Sequence, residues 1–126
     1  NVFSFAISRP PKSVEKFLAD YNINRDTDID YFLIHQANKM IVDRIVKKLK
    51  LPQEKVPYNL EEFGNLGGAS IPSLMVTRLR GQLLSKETTL LMSSFGLGLT
   101  WGTMWMKTKP MCVPNVVIMN GKNTDF

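Results

Sequence analysis

Apolar positions recur along this chain with helical spacing in three places. Val14, Phe17, Leu18 and Tyr21 form one set, and Ile41, Val42, Ile45, Val46 and Leu49 a second. Residues three and four apart share one face of a helix, so these sets predict amphipathic helices near 11–22 and 38–50. Ile71, Met75, Leu79 and Leu83 predict a third, opened by Ser70 as a capping residue with Pro72 in its first turn. Gly81 weakens it mildly, by about 1 kcal/mol against alanine. Between the stripes lie compact apolar runs that read as strands, at 2–7, 29–34, 88–95 and 99–106. The last two are joined by Gly96-Leu97-Gly98 and read as a hairpin-like pair at a sheet edge. Residues 55–60 admit a short strand, weakened by Pro57. The resulting order, β-α-β-α-β-α-β-β, predicts an α/β fold with a mostly parallel sheet and one added antiparallel strand. After Lys107 the pattern breaks down. Val116-Val117-Ile118-Met119 could add a strand; otherwise 108–126 is a C-terminal extension or tail, and 1–107 is the domain.

Composition narrows the class. Hydrophobic residues make up 44% of the 126 and charged residues 21%, enough for one globular core. No run of eighteen apolar residues is present, so no spanning helix and no membrane partner is expected. The start has neither the basic region nor the apolar region of a signal peptide. It also lacks a methionine, which points to a fragment or processed product. One cysteine, Cys112, allows neither an internal disulfide nor a multi-thiolate metal site, and a reducing, cytoplasmic setting is the simplest expectation. The net charge of +5 suits nucleic acid, anionic lipid, or an acidic or phosphorylated partner. No nucleic-acid-binding motif accompanies it, and the basic face of helix 38–50 carries no interleaved aromatics.

Chemistry is concentrated at two turns. His35, the only histidine, stands where the apolar run 29–34 stops and a helical stripe begins. That is the carboxyl end of a strand, where open α/β sheets build their sites. It is either a satisfied histidine at a strand end or an acid–base and hydrogen-bonding group. With no second histidine and no carboxylate cluster at ligand spacing, no metal and no other cofactor is expected. Asn65 lies within Phe63-Gly64-Asn65-Leu66-Gly67-Gly68. It is either turn chemistry or a neutral amide donor to a carbonyl oxygen. Gly96-Leu97-Gly98 is either a plain turn or a source of backbone N–H groups for an oxyanion. Cys112 has neither a helix N-terminus nor a basic neighbour to activate it, which argues against a nucleophile.

Four stretches together carry a resemblance: Ile34-His35-Gln36-Ala37-Asn38, Phe63-Gly64-Asn65, Ala69-Ser70-Ile71-Pro72, and Phe95-Gly96-Leu97-Gly98-Leu99-Thr100-Trp101-Gly102. In this order and register they resemble the C-terminal half of the β-ketoacyl-acyl carrier protein synthase III family, condensing enzymes of the thiolase fold. The resemblance covers about residues 1–107. It implies one thiolase-like half with a five-stranded mixed sheet and helices on its faces. It implies a Cys-His-Asn triad of which His35 and Asn65 are two members, the cysteine belonging to an N-terminal half. It implies an acyltransferase of fatty acid or polyketide-like synthesis, carrying out decarboxylative Claisen condensation of an acyl thioester with malonyl-acyl carrier protein.

By the same resemblance Leu97 supplies a backbone N–H to the oxyanion hole. Asn38 and Phe95 adjoin the substrate, and Lys39, Arg44 and Lys47 dock an acidic acyl carrier protein. The implied partners are the cysteine-bearing half, the carrier protein and acyl-CoA or a malonyl thioester, in a whole enzyme that is a homodimer. The chain departs from the family pattern at Leu66-Gly67, where Thr-Ser often stands, at Leu97, which interrupts a run of glycines, and at Met40, where arginine is frequent. Lacking the nucleophile, the chain by itself is expected to be inactive. The other expectation is a non-catalytic subunit that binds an acyl carrier protein or a partner half.

Overall fold

The computed structural model of the chain describes residues 2–119. Three strands form its one sheet among these residues: β1 (Tyr31–Ile34), β2 (Thr88–Gly96) and β3 (Thr100–Thr108), in the order β1-β2-β3. β1 runs parallel to β2, with Ile34 opposite Ser93. β3 returns antiparallel, pairing Gly96 with Thr100 and Thr88 with Thr108. Six helices among the described residues surround the sheet: α1 (Val2–Ala6), α2 (Arg9–Asp20), α3 (Lys39–Leu49), α4 (Leu60–Phe63), α5 (Ser70–Arg78) and α6 (Arg80–Ser85). No helix among the described residues is long and apolar enough to cross a membrane.

Successive strand residues face opposite sides of a sheet, and here each side has its own core. Phe32, Ile34, Leu91 and Phe95 pack with Val14 and Leu18 of α2 and Ile41, Val42, Ile45 and Val46 of α3. Leu33, Leu90 and Met92 pack with Leu74 of α5, Leu83 of α6 and Val113. β1 and β2 are apolar on both faces for this reason, which is why their sequences run apolar without alternation. Truncating a fully buried leucine of either core, Leu91 or Leu33, to alanine would cost about 2–5 kcal/mol.

The five expected strands are three. Val2–Ala6, expected as part of a strand, is a short helix of five residues. A run of this length is too short to separate the two periods. Phe5 sets its ring edge-on against Trp101 of β3, centroids 5.6 Å apart, and Ala6 is fully buried. Of residues 55–60, the expected weak strand, Lys55 closes a tight turn at Gln53–Lys55, Leu60 opens α4, and 56–59 form an irregular link between them. Pro57 denies it a ladder donor, and Lys55 Nζ instead donates to the carbonyls of Asp26 and Ile29 at 2.6 and 2.7 Å. Residues 116–119 are irregular and exposed. The order is therefore α-α-β-α-α-α-α-β-β.

The helix expected from Ser70 through Leu83 is two helices, broken at Leu79 (φ −114°, ψ 6°). Ser70 does not cap it. Its side chain is buried inside the first turn, with no partner for Oγ among the described residues. The segment after β3 is irregular but anchored. Met111 N–H donates to Leu83 O at 2.9 Å, Arg80 Nε donates to Val113 O at 3.0 Å, and Val113 is buried. The polar end read as tail, residues 120–126, and the first residue, Asn1, lie outside the described residues.

Candidate functional site

Parallel strands bring their carboxyl ends to the same edge of a sheet, so the exits of β1 and β2 lie side by side. His35 is the first residue beyond β1, and its N–H donates to Ser93 O at 2.9 Å, extending the ladder by one bond. Its carbonyl then accepts from Ala37 N–H at 3.0 Å, turning the chain towards α3. From β2, Phe95 comes up beside it. The two rings meet edge to face, centroids 5.0 Å apart at 81°. His35 is 8% exposed, and burial lowers its imidazole below the ordinary value of 6.5. The ring is therefore neutral at neutral pH, with one nitrogen a donor and the other an acceptor. Neither nitrogen has a hydrogen-bond partner among the described residues.

Asn65 reaches the same place from the turn between α4 and α5. Gly64, at φ +65° and ψ −158°, ends α4 in a conformation that side chains rarely adopt. Asn65 then folds over its own backbone, Oδ1 accepting from Gly67 N–H at 2.9 Å. A backbone N–H can only donate, so that contact fixes which amide atom is oxygen. Nδ2 is left pointing elsewhere and makes no hydrogen bond to the described residues.

His35, Asn65, Phe95 and Leu97 line one cleft of about 730 Å³, walled further by Phe5 and Trp101. Leu97 belongs to the tight turn between β2 and β3, and its side chain is 98% exposed. That turn needs left-handed backbone at Gly98 (φ 73°) and at Leu99 (φ 53°). For leucine this costs on the order of 1 kcal/mol. The remaining residues expected at the site lie off this cleft. Asn38 caps α3, its Oδ1 accepting from Ile41 N–H at 2.9 Å. Lys39 pairs with Asp43 at 3.2 Å and sits 5.4 Å from the centre of the Tyr58 ring. Arg44 lies 5.6 Å from the centre of the Phe3 ring, and Lys47 is exposed in the last turn of α3.

Cys112 is exposed on the segment after β3 and does not line the cleft. Among the described residues no group of histidine, cysteine or carboxylate side chains is arranged to hold a metal ion. The arrangement offers hydrogen-bond donors and a neutral imidazole beside aromatic walls, which suits stabilising charge on a carbonyl oxygen.

Two buried amides beside the site are given no role by the sequence, although Gln36 lies within one of the stretches that carry the resemblance. Gln36 is fully buried, and Asn59 is 2% exposed. An amide in an apolar neighbourhood is the only hint that sequence offers, and Asn59, between Tyr58 and Leu60, has that neighbourhood.

Residues 19–108 match a family model described as 3-oxoacyl-[acyl-carrier-protein (ACP)] synthase III C terminal. The chain is 43% identical over 101 residues to the beta-ketoacyl-[acyl-carrier-protein] synthase III of Microcystis aeruginosa (strain NIES-843 / IAM M-2473), covering 80% of this chain and 30% of that one. It is 43% identical over 108 residues to the enzyme of the same name from Streptococcus pyogenes serotype M49, covering 84% of this chain and 33% of that one. Among solved structures, the 3-oxoacyl-(acyl-carrier protein) synthase of Burkholderia xenovorans LB400 superposes with a TM-score of 0.84 at 35% identity, over 90% of this chain and 32% of that one. The chain thus spans about a third of the length of these curated relatives.

Proposed function

This chain belongs to the 3-oxoacyl-[acyl-carrier-protein] synthase III family, matching its C-terminal part, and from that premise we propose that it supplies two members of a condensing enzyme's active site. In the whole protein, an acyl thioester gives its acyl group to a cysteine thiol on the N-terminal half. A malonyl thioester then loses carbon dioxide, and the electron pair of the broken bond passes onto the thioester as an enolate. His35 and Asn65 Nδ2 donate hydrogen bonds to the enolate oxygen. They act on charge that develops during reaction, which is where such donors lower a barrier. The enolate carbon attacks the acyl-cysteine, and the N–H groups of that cysteine and of Leu97 receive the resulting oxyanion. The cysteine leaves as thiolate and the 3-oxoacyl thioester is released.

The observation that carries this reading is the convergence of His35 and Asn65 on one cleft, with Asn65 Oδ1 held by Gly67 so that Nδ2 is available. Phe95 forms the aromatic wall at the decarboxylation site. Asn38, at the start of α3, lies towards the substrate's carrier arm, and the basic face of α3 receives the acidic carrier protein. Under the same reading 1–107 is the thiolase-like half, 108–126 is an extension, and the nucleophile comes from elsewhere in the whole protein, a homodimer.

The test is decarboxylation of a malonyl thioester by the whole protein, followed separately from acylation of its cysteine. His35→Ala and Asn65→Ala are each expected to lower decarboxylation by about 100-fold or more while acylation is much less affected. Wild-type decarboxylation in both variants refutes the assignment, and condensation by residues 1–126 alone refutes the need for a second half.

A further inference from the structure

The two donors sit on segments thirty residues apart, and a hydrogen-bonded chain of amides and hydroxyls runs from the residue after His35 to the two helices that flank the Asn65 turn. We infer that Gln36 and Asn59 are positioning residues, setting His35 and Asn65 in register across the cleft; this rests on the reading of those two residues given above. Gln36 follows His35 directly. Its Nε2 donates to Ile34 O at 2.8 Å, locking the backbone on the far side of His35. Its Oε1 accepts from Asn59 N–H at 3.2 Å. Asn59 then grips both flanks of the Asn65 turn. On the near side its carbonyl accepts from Glu62 and Phe63 N–H, at 3.2 and 3.0 Å, and so holds the start of α4. On the far side its Nδ2 donates to Ser73 Oγ at 2.9 Å and Thr77 Oγ1 at 3.1 Å, on α5.

The donors and acceptors in this network are fixed. Ser73 Oγ donates its own hydrogen to Ser70 O, and Thr77 Oγ1 donates its own to Ser73 O, both at 2.7 Å. Each hydroxyl can therefore only accept from Asn59, which fixes its amide with nitrogen towards α5. Asn59 Oδ1 is left without a partner among the described residues, a cost accepted for that orientation. Gln36 is fixed the same way, because Ile34 O can only accept and Asn59 N–H can only donate. Packing alone would be met by apolar residues of similar volume. What the amides add is orientation, since buried groups linked by directional bonds hold one another rigid. The turn bearing Asn65 is exposed and contributes no buried side chain, so its position relative to His35 is set from its two flanks, through Asn59 and Gln36.

The experiment uses the whole protein and follows malonyl thioester decarboxylation and cysteine acylation separately. Gln36→Met keeps the volume and cuts the link. It is expected to lower kcat of decarboxylation by about 100-fold, the scale of a misplacement near 1 Å, with KM for the malonyl thioester and the acylation rate close to wild type. Thr77→Val removes one hydroxyl without changing shape and is expected to lower kcat by about 10-fold, whereas Thr77→Ser keeps the hydroxyl and restores it. If Gln36→Met does not fold, the Thr77 pair decides alone. Wild-type kcat in Thr77→Val, or equal losses in both half-reactions, overturns the inference. Absence of decarboxylation in the unsubstituted protein is a different result: it overturns the enzymatic reading itself, and this inference falls with it.

Discussion

The His35 imidazole is held edge to face against Phe95, and that contact is also what keeps water from one side of the ring. Burial lowers the His35 pKa below 6.5. Replacing Phe95 by leucine opens the ring to solvent, and the pKa is expected to move back up towards 6.5, at a stability cost on the order of 1 kcal/mol. Because the chain has one histidine, proton NMR titration reads this group without assignment. A histidine whose folded pKa lies below its unfolded value contributes its full stability above pH 6.5 and loses it as the pH falls through the folded value, because the unfolded chain takes the proton first. Urea midpoints of the wild type should therefore fall below pH 6.5 more steeply than those of Phe95→Leu. Parallel curves would remove His35 as the source.

Asn65 has two jobs on opposite ends of one amide, and aspartate separates them. A carboxylate oxygen at this position can still accept from Gly67 N–H, so the turn is expected to survive Asn65→Asp with a stability change within about 0.5 kcal/mol. The donor, however, becomes an acceptor and brings negative charge to a cleft proposed to stabilise an enolate. Decarboxylation by the whole protein is expected to fall by at least about 100-fold, with urea midpoints unchanged. Retained activity would show that the turn, not the donor, is what matters.

The parts of this fold that could be read from sequence are those where one residue type has one physical use. α2 and α3 announce themselves because their apolar stripes repeat over about two turns. β1 and β2 do so because continuous apolar runs fit strands buried on both faces. Val2–Ala6 is not legible because so short a run holds too little period to choose, and its helix is settled by contacts from far along the chain, Phe5 on Trp101 above all. Leu79 breaks α5 from α6 although the stripe runs through it, since side-chain periodicity is blind to a one-residue backbone departure. At the site, His35 and Asn65 stand out by type and neighbourhood. Asn59 does not, and Gln36 is marked only as part of its stretch and not by a role, because a buried amide and an exposed one look alike until tertiary contacts are known.

Lys50 ends α3 in the left-handed conformation, φ 51° and ψ 42°, where glycine is the usual residue. Its side chain is exposed and only its backbone is used, donating to Lys47 O at 3.2 Å. Lys50→Gly removes the steric cost of a Cβ there, and the larger entropy of an unfolded glycine offsets part of the gain. A net stabilisation of about 0.5–1 kcal/mol is expected as a higher urea midpoint with an unchanged slope. A lower midpoint would mean that the lysine stem covers apolar surface.

The basic face of α3 is not uniformly positive, which makes its proposed role in carrier docking open to an asymmetric test. At 3.6 residues per turn Lys39, Arg44 and Lys47 fall on one side of the helix, and Asp43 lies inside the same arc. Asp43 is held there by Lys39 at 3.2 Å and by the Tyr58 hydroxyl, which donates to it at 2.9 Å. Lys47 has no ion pair among the described residues. An acidic partner approaching this face would be drawn by Arg44 and Lys47 and repelled by Asp43. Neutralising Lys39, Arg44 and Lys47 together, each to glutamine, is expected to slow association of the whole protein with an acyl carrier protein by about 10-fold at low ionic strength, the difference shrinking as salt is raised. Asp43→Asn should do the reverse and speed it. Turnover of a short malonyl thioester that carries no carrier protein should be unchanged in all of these variants, because no carrier has to dock. Equal slowing with the carrier-free thioester would mean that the substitutions disturb the cleft, and no change with the carrier would move the docking surface off α3.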